Sequence, residues 1–117
     1  MQVTTYSDVP ELEPRKPYVP LRALQEAVSA WHSAVYPSGT FDVTVRTLAK
    51  LQEEVIELRN AGDHAAWSEE CADVLICLCA LASRLGVNLE EAVKAKLEVV
   101  LARTPEEQQS RDKDRGI

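Results

Sequence analysis

From Leu21 onward the apolar residues Leu21, Leu24, Val28, Trp31 and Val35 step by three and four, the spacing of one face of an α-helix. Pro20 suits the first turn of that helix, and Pro37-Ser38-Gly39 ends it. A second stripe runs through Leu48, Leu51, Val55 and Leu58, with Thr40 or Asp42 as its cap and Asn60-Ala61-Gly62 as its close. The third helix begins somewhere between Asp63 and Ser68 and stops at Gly86. Its apolar positions, Val74, Leu75, Leu78, Leu81, Ala82 and Leu85, are broad enough for burial on more than one side. Asn88 and Glu91 form an N-x-x-E variant of the capping box, opening a fourth helix that runs to about Arg103 and ends at Thr104-Pro105. No segment alternates as a strand does. The expected fold is therefore all-α, an antiparallel four-helix bundle.

The ends of the chain read differently. Residues 1–20 hold four of the six prolines and show no periodicity up to Val19, so 1–19 is expected as an extended or disordered arm. The helical domain spans 20–104, and 105–117 is expected as a loose polar tail. A domain of roughly 85 residues buries a limited fraction of its surface. Because the third helix carries more apolar surface than one neighbour covers, a second copy is expected to complete the core, as a homodimer or homotetramer.

Charge and composition narrow the function classes. The net charge is −6 and the pI about 4.9, so the chain lacks the footprint of a nucleic-acid binder. Met1-Gln2-Val3-Thr4-Thr5-Tyr6 has neither the basic nor the apolar stretch of a secretory signal. No apolar run approaches the ~20 residues of a membrane span. Cys71, Cys77 and Cys79 sit close together on the third helix at spacings that fit neither a disulfide framework nor a thiolate metal site. They read as small reduced core residues, and the expected location is cytoplasmic.

Chemistry concentrates in two short runs of acids. Glu53-Glu54-Val55-Ile56-Glu57 on the second helix is followed, 12 residues later, by Glu70-Cys71-Ala72-Asp73 on the third. Glu54/Glu57 and Glu70/Asp73 are each spaced i,i+3, which sets both acids of a pair on one side of a helix. The two helices are joined by a short polar turn, so the pairs can face each other. Converging carboxylates repel unless a cation lies between them, and an all-oxygen set suits Mg²⁺, or Mn²⁺. The plainer account is a salt-bridged, inert surface, with Lys50 pairing to Glu54 at i,i+4 and Glu57 meeting a cation from a neighbouring helix.

The arrangement resembles the MazG-like, all-α nucleoside triphosphate pyrophosphohydrolases, whose pattern is EExxE, a spacer, then ExxD. The similarity extends to Leu24-Gln25 through Trp31, to Leu48-Ala49-Lys50-Leu51 ahead of the acids, and to Leu85-Gly86-Val87-Asn88-Leu89-Glu90-Glu91-Ala92, covering 21–103. The resemblance implies cleavage of a nucleoside triphosphate to the monophosphate and pyrophosphate, with Mg²⁺ held by Glu54, Glu57, Glu70 and Asp73. Glu53 would position water, and Glu53 or Glu57, not fully committed to metal, would take its proton. Lys50, Lys96 and Arg103 are candidate phosphate-binding cations and Trp31 a candidate stacking platform for the base. The plainer account of Lys96 and Arg103 is a solvated pair near a helix C-terminus; for Trp31 it is a core position, and His32 beside it is a weak ligand candidate. Val100 stands where family members often carry asparagine, a departure that touches nucleotide binding. The same scaffold also hosts phosphoribosyl-ATP pyrophosphohydrolases, and a non-catalytic interaction module is the reading from another class.

Overall fold

Among the described residues the most extensive helix packing is in the hairpin that carries the acids. The computed structural model describes residues 19–37 and 41–117, so the expected arm lies almost wholly outside the described residues. Five helices follow in order: α1 (Leu21–Val35), α2 (Phe41–Asn60), α3 (His64–Arg84), α4 (Leu89–Leu101) and α5 (Pro105–Asp114). Among the described residues there is no strand. The fold is all-helical.

Local sequence explains each boundary. Asp63 has extended backbone and accepts a hydrogen bond from the Ala66 amide at 2.8 Å, which fixes the start of α3 inside the range the sequence allowed. The Trp67 indole N–H then donates to the Ala61 carbonyl at 2.8 Å, tying the end of α2 to the first turn of α3. At the far end of α3, Gly86 has φ +70. Its amide reaches the Ser83 carbonyl and the Val87 amide the Ala82 carbonyl, the paired bonds of a Schellman close. A side chain at Gly86 would be strained by that φ alone. Asn88 caps α4 as expected, accepting from the Glu91 amide at 3.1 Å.

The tail departs from expectation. Residues 105–114 form α5 rather than a loose segment. Thr104 accepts from the Glu107 amide at 3.1 Å, Pro105 occupies the first turn, and Glu106 and Glu107 complement the helix dipole. Thr104-Pro105 ends one helix and starts the next.

Packing is uneven. α2 lies along α3, and α1 crosses the C-terminal half of α3, where Cys79, Ala80, Leu81 and Ala82 are all buried. Four consecutive buried residues mean that α3 is covered on every side over the turn at 79–82, as the breadth of its apolar pattern implied. Just before that turn the cover is incomplete: Leu75, Ile76 and Leu78 stay exposed. α4 leaves α3 through a 105° bend, short of an antiparallel return, and it touches α1 only lightly. Gln25, itself buried, fastens that joint: its Nε2 donates to the Ser83 hydroxyl and the Val87 carbonyl, and its Oε1 accepts from the Leu89 amide. No single helix is long and apolar enough to cross a membrane.

Candidate metal and nucleotide site

The hairpin of α2 and α3 brings Glu54, Glu57 and Glu70 together. One carboxylate oxygen from each lies within 4.8 Å of the other two. Glu54 is buried, Glu70 half-buried and Glu57 exposed, so the cluster opens from the helix interface toward solvent. Lys50, one turn before Glu54, puts its Nζ 2.8 Å from Glu54 Oε1 and 3.4 Å from Glu53 Oε2. The expected Lys50–Glu54 pair is therefore present. The cation expected for Glu57 is not: among the described residues Glu57 meets carboxylates only.

One lysine does not balance these acids, and their proton affinities show it. Lys50 hydrogen-bonds Glu54 and holds its carboxyl below the usual range, against the opposing push of burial. Glu57 is pushed up, first by the hydrogen bond its protonated form gives Glu54 and then by the Glu54 charge. Glu70 is pushed up by burial and by the charges of Glu57, Asp73 and Glu54. The Lys50 ammonium is correspondingly stabilised, by Glu54 first. Glu54 Oε2 and Glu70 Oε2 are buried without any hydrogen-bond partner. Orphaned carboxylate oxygens of this kind are costly and call for a positive occupant. A hard divalent cation with an all-oxygen coordination shell fits this donor set.

The remaining expected site residues fall in different places. Asp73, one turn beyond Glu70, stands outside the three-carboxylate set, although its charge is felt by Glu70 and Cys77. Glu53 points along the outer face of α2 to Lys50. Trp31 is exposed rather than core, and it lines a cavity of about 720 Å³ between α1, α2 and α3. Lys50, Glu53 and Cys77 line the same cavity, so it runs up to the edge of the acidic cluster. Lys96 and Arg103 do not line it; Arg103 donates instead to Gln108 Oε1 at 2.9 Å.

Two residues that the sequence did not single out enter here. Arg46 on α2 lines the cavity, and Arg84 on α3 holds His32 at the cavity wall. No local pattern announces Arg84, because its partners lie 48 and 52 residues away in sequence.

Comparison with known proteins agrees with the geometry. The sequence profile of the MazG-like family matches residues 45–116. The chain is 42% identical over 81 residues to the dATP/dGTP diphosphohydrolase of cyanophage S-2L, an alignment covering 69% of this chain and 73% of that one. No solved structure matches.

Proposed function

Because this chain belongs to the MazG-like family, we propose that it is a divalent-metal-dependent nucleotide pyrophosphohydrolase, cutting a deoxynucleoside triphosphate into the monophosphate and pyrophosphate. One observation carries the assignment of its site: Glu54 and Glu57 of α2 converge with Glu70 of α3, and two of their oxygens, Glu54 Oε2 and Glu70 Oε2, are buried without a partner. Glu54, Glu57 and Glu70 would hold the ion, Mg²⁺ or Mn²⁺, and Asp73 would join them through a modest change of side-chain rotamer. Bound there, a divalent cation supplies positive charge that neutralises phosphate oxygens and acidifies water.

The chain's own residues perform the rest. Glu57 is the most exposed of the three acids, so it is the one placed to accept a proton from the attacking water. Glu53, exposed and tied to Lys50, orients that water. Lys50 occupies the boundary between cluster and cavity and meets the phosphates there as a point charge. The base extends along the cavity toward Trp31, whose exposed ring offers a stacking face. The name of the cyanophage relative points to dATP and dGTP as the first substrates to try.

We also infer assembly. Val93, Leu97, Val99 and Leu101 on α4 are exposed, as are Val55, Ile56 and Leu75 on the hairpin. Apolar side chains left exposed in that number on two elements point to an interface. A second copy packed there completes the four-helix arrangement that one chain leaves open. Lys96 and Arg103 then reach phosphate only if the partner's helix brings them to the acids.

The deciding experiment is pyrophosphate release from a panel of ribo- and deoxynucleoside triphosphates, with phosphoribosyl-ATP included, in Mg²⁺ and in Mn²⁺. Release of pyrophosphate from a deoxynucleotide, abolished by chelation, is the expected result. No release from any member, together with no effect of divalent ions on the melting temperature, would leave an inert helical module.

A further inference from the structure

His32 is held from behind in a way that decides which of its nitrogens carries the proton. Arg84 places Nε 3.1 Å and Nη2 2.9 Å from His32 Nδ1. The same Nη2 also donates to the carbonyls of His32 (3.3 Å) and Tyr36 (2.9 Å). A guanidinium has donors and no acceptor, so Nδ1 accepts and the proton of the neutral ring sits on Nε2. The alternative, a doubly protonated ring, would put an N–H against a cation; burial and Arg84 both push the His32 pKa below its usual value.

The other nitrogen is left available. Among the described residues Nε2 hydrogen-bonds to nothing, and it is not one of the buried partnerless atoms, which are Glu54 Oε2 and Glu70 Oε2 alone. His32 lines the same cavity as Trp31, and the two rings are tilted at 59° with centroids 6.1 Å apart. His32 is mostly buried, so what the cavity can meet of it is the ring edge, beside any flat ligand that lies on the exposed Trp31 ring. The cavity follows α2 from Val43 to Ile56 and so passes Lys50 and Glu53, the neighbours of the acidic cluster.

We propose that His32 reads the base: its Nε2–H donates to N7 of a purine stacked on Trp31, and Arg84 is the positioning residue that fixes the donor. N7 is an acceptor on both adenine and guanine, whereas pyrimidines have no equivalent ring nitrogen on that edge. The contact therefore selects purines as a class without distinguishing between them. The inference rests on the nucleotide pyrophosphohydrolase reading given above and adds a specificity residue to it.

The test compares kcat/KM for dATP with 7-deaza-dATP, and for dGTP with 7-deaza-dGTP, analogues that lack only the acceptor. The wild-type chain is expected to prefer each natural nucleotide about fivefold, the size of one neutral hydrogen bond. His32→Phe should bring both ratios to one, and Arg84→Lys, which loosens the ring, should narrow them. Because a ratio within one protein is insensitive to how much of it is folded, a purely structural role for either residue would leave the preference unchanged. Equal rates on natural and deaza nucleotides in the wild type, or a preference that survives His32→Phe, overturns the proposal. Should His32→Phe not fold, Arg84→Lys carries the attribution: a wild-type preference that this variant leaves unnarrowed also overturns the proposal. If the wild type releases no pyrophosphate from any nucleotide, the function reading falls and this inference with it; if it hydrolyses both analogues equally, only this inference falls.

Discussion

Glu70 is pulled two ways, since burial favours its neutral form and a divalent cation requires the charged one. In the metal-free protein Glu70→Gln relieves repulsion with Glu57, Asp73 and Glu54, so the melting temperature should hold or rise. In the same variant pyrophosphate release should fall by roughly 100-fold or more, and the thermal shift caused by Mg²⁺ should vanish, as expected when a metal ligand is lost. His32 makes a different pH statement. Its folded pKa lies below the 6.5 of the unfolded chain, so below that pH the unfolded state binds more protons and stability declines as pH falls. Above 6.5 the contribution is fully present. Melting curves from pH 7.5 to 5 should therefore show a decline that is shallower in His32→Gln, and equal slopes would remove the assignment. The acids were legible from spacing alone, because i,i+3 on a helix is a local rule. The Arg84–His32 contact was not, because nothing local ties residues 52 apart.

At the scale of elements, caps were the most readable signal. Asn88 and Asp63 start their helices as side-chain chemistry requires; Thr104-Pro105 is a stop for α4 and, with Glu106-Glu107 behind it, equally a start, which is why α5 does not stand out in the sequence. Helix orientation was less readable: stripes show that a face is apolar, not what it meets, and α4 turns away through 105°. Gln25 is the fastening at that joint. Gln25→Leu keeps approximate size but leaves the Leu89 amide and Val87 carbonyl without partners, so chemical denaturation should show a loss of about 2 kcal/mol. A loss under 0.5 kcal/mol would mean that water substitutes for the amide.

For the whole molecule, the sparse buried core and the exposed row on α4 belong together. If the proposed second copy packs on α4, Leu97→Glu should give a smaller species than the wild type in light scattering and a lower melting temperature; a wild type that scatters as one chain would remove the proposed interface, and an oligomer whose mass the variant leaves unchanged would place it elsewhere. The hairpin from Lys50 to Asp73 holds every proposed metal ligand, closed by the Asp63 cap and the Trp67 staple, while Trp31 and His32 stand on α1. Those contacts within the hairpin are close in sequence, so it can form early in folding, before α1 docks. The part that breaks the bond and the part that inspects the letter are thus written in separate stretches of the chain. On the proposed reading, lineages of this protein are free to change their nucleotide by altering α1 and the few cavity positions that face it, and to inherit the reaction untouched.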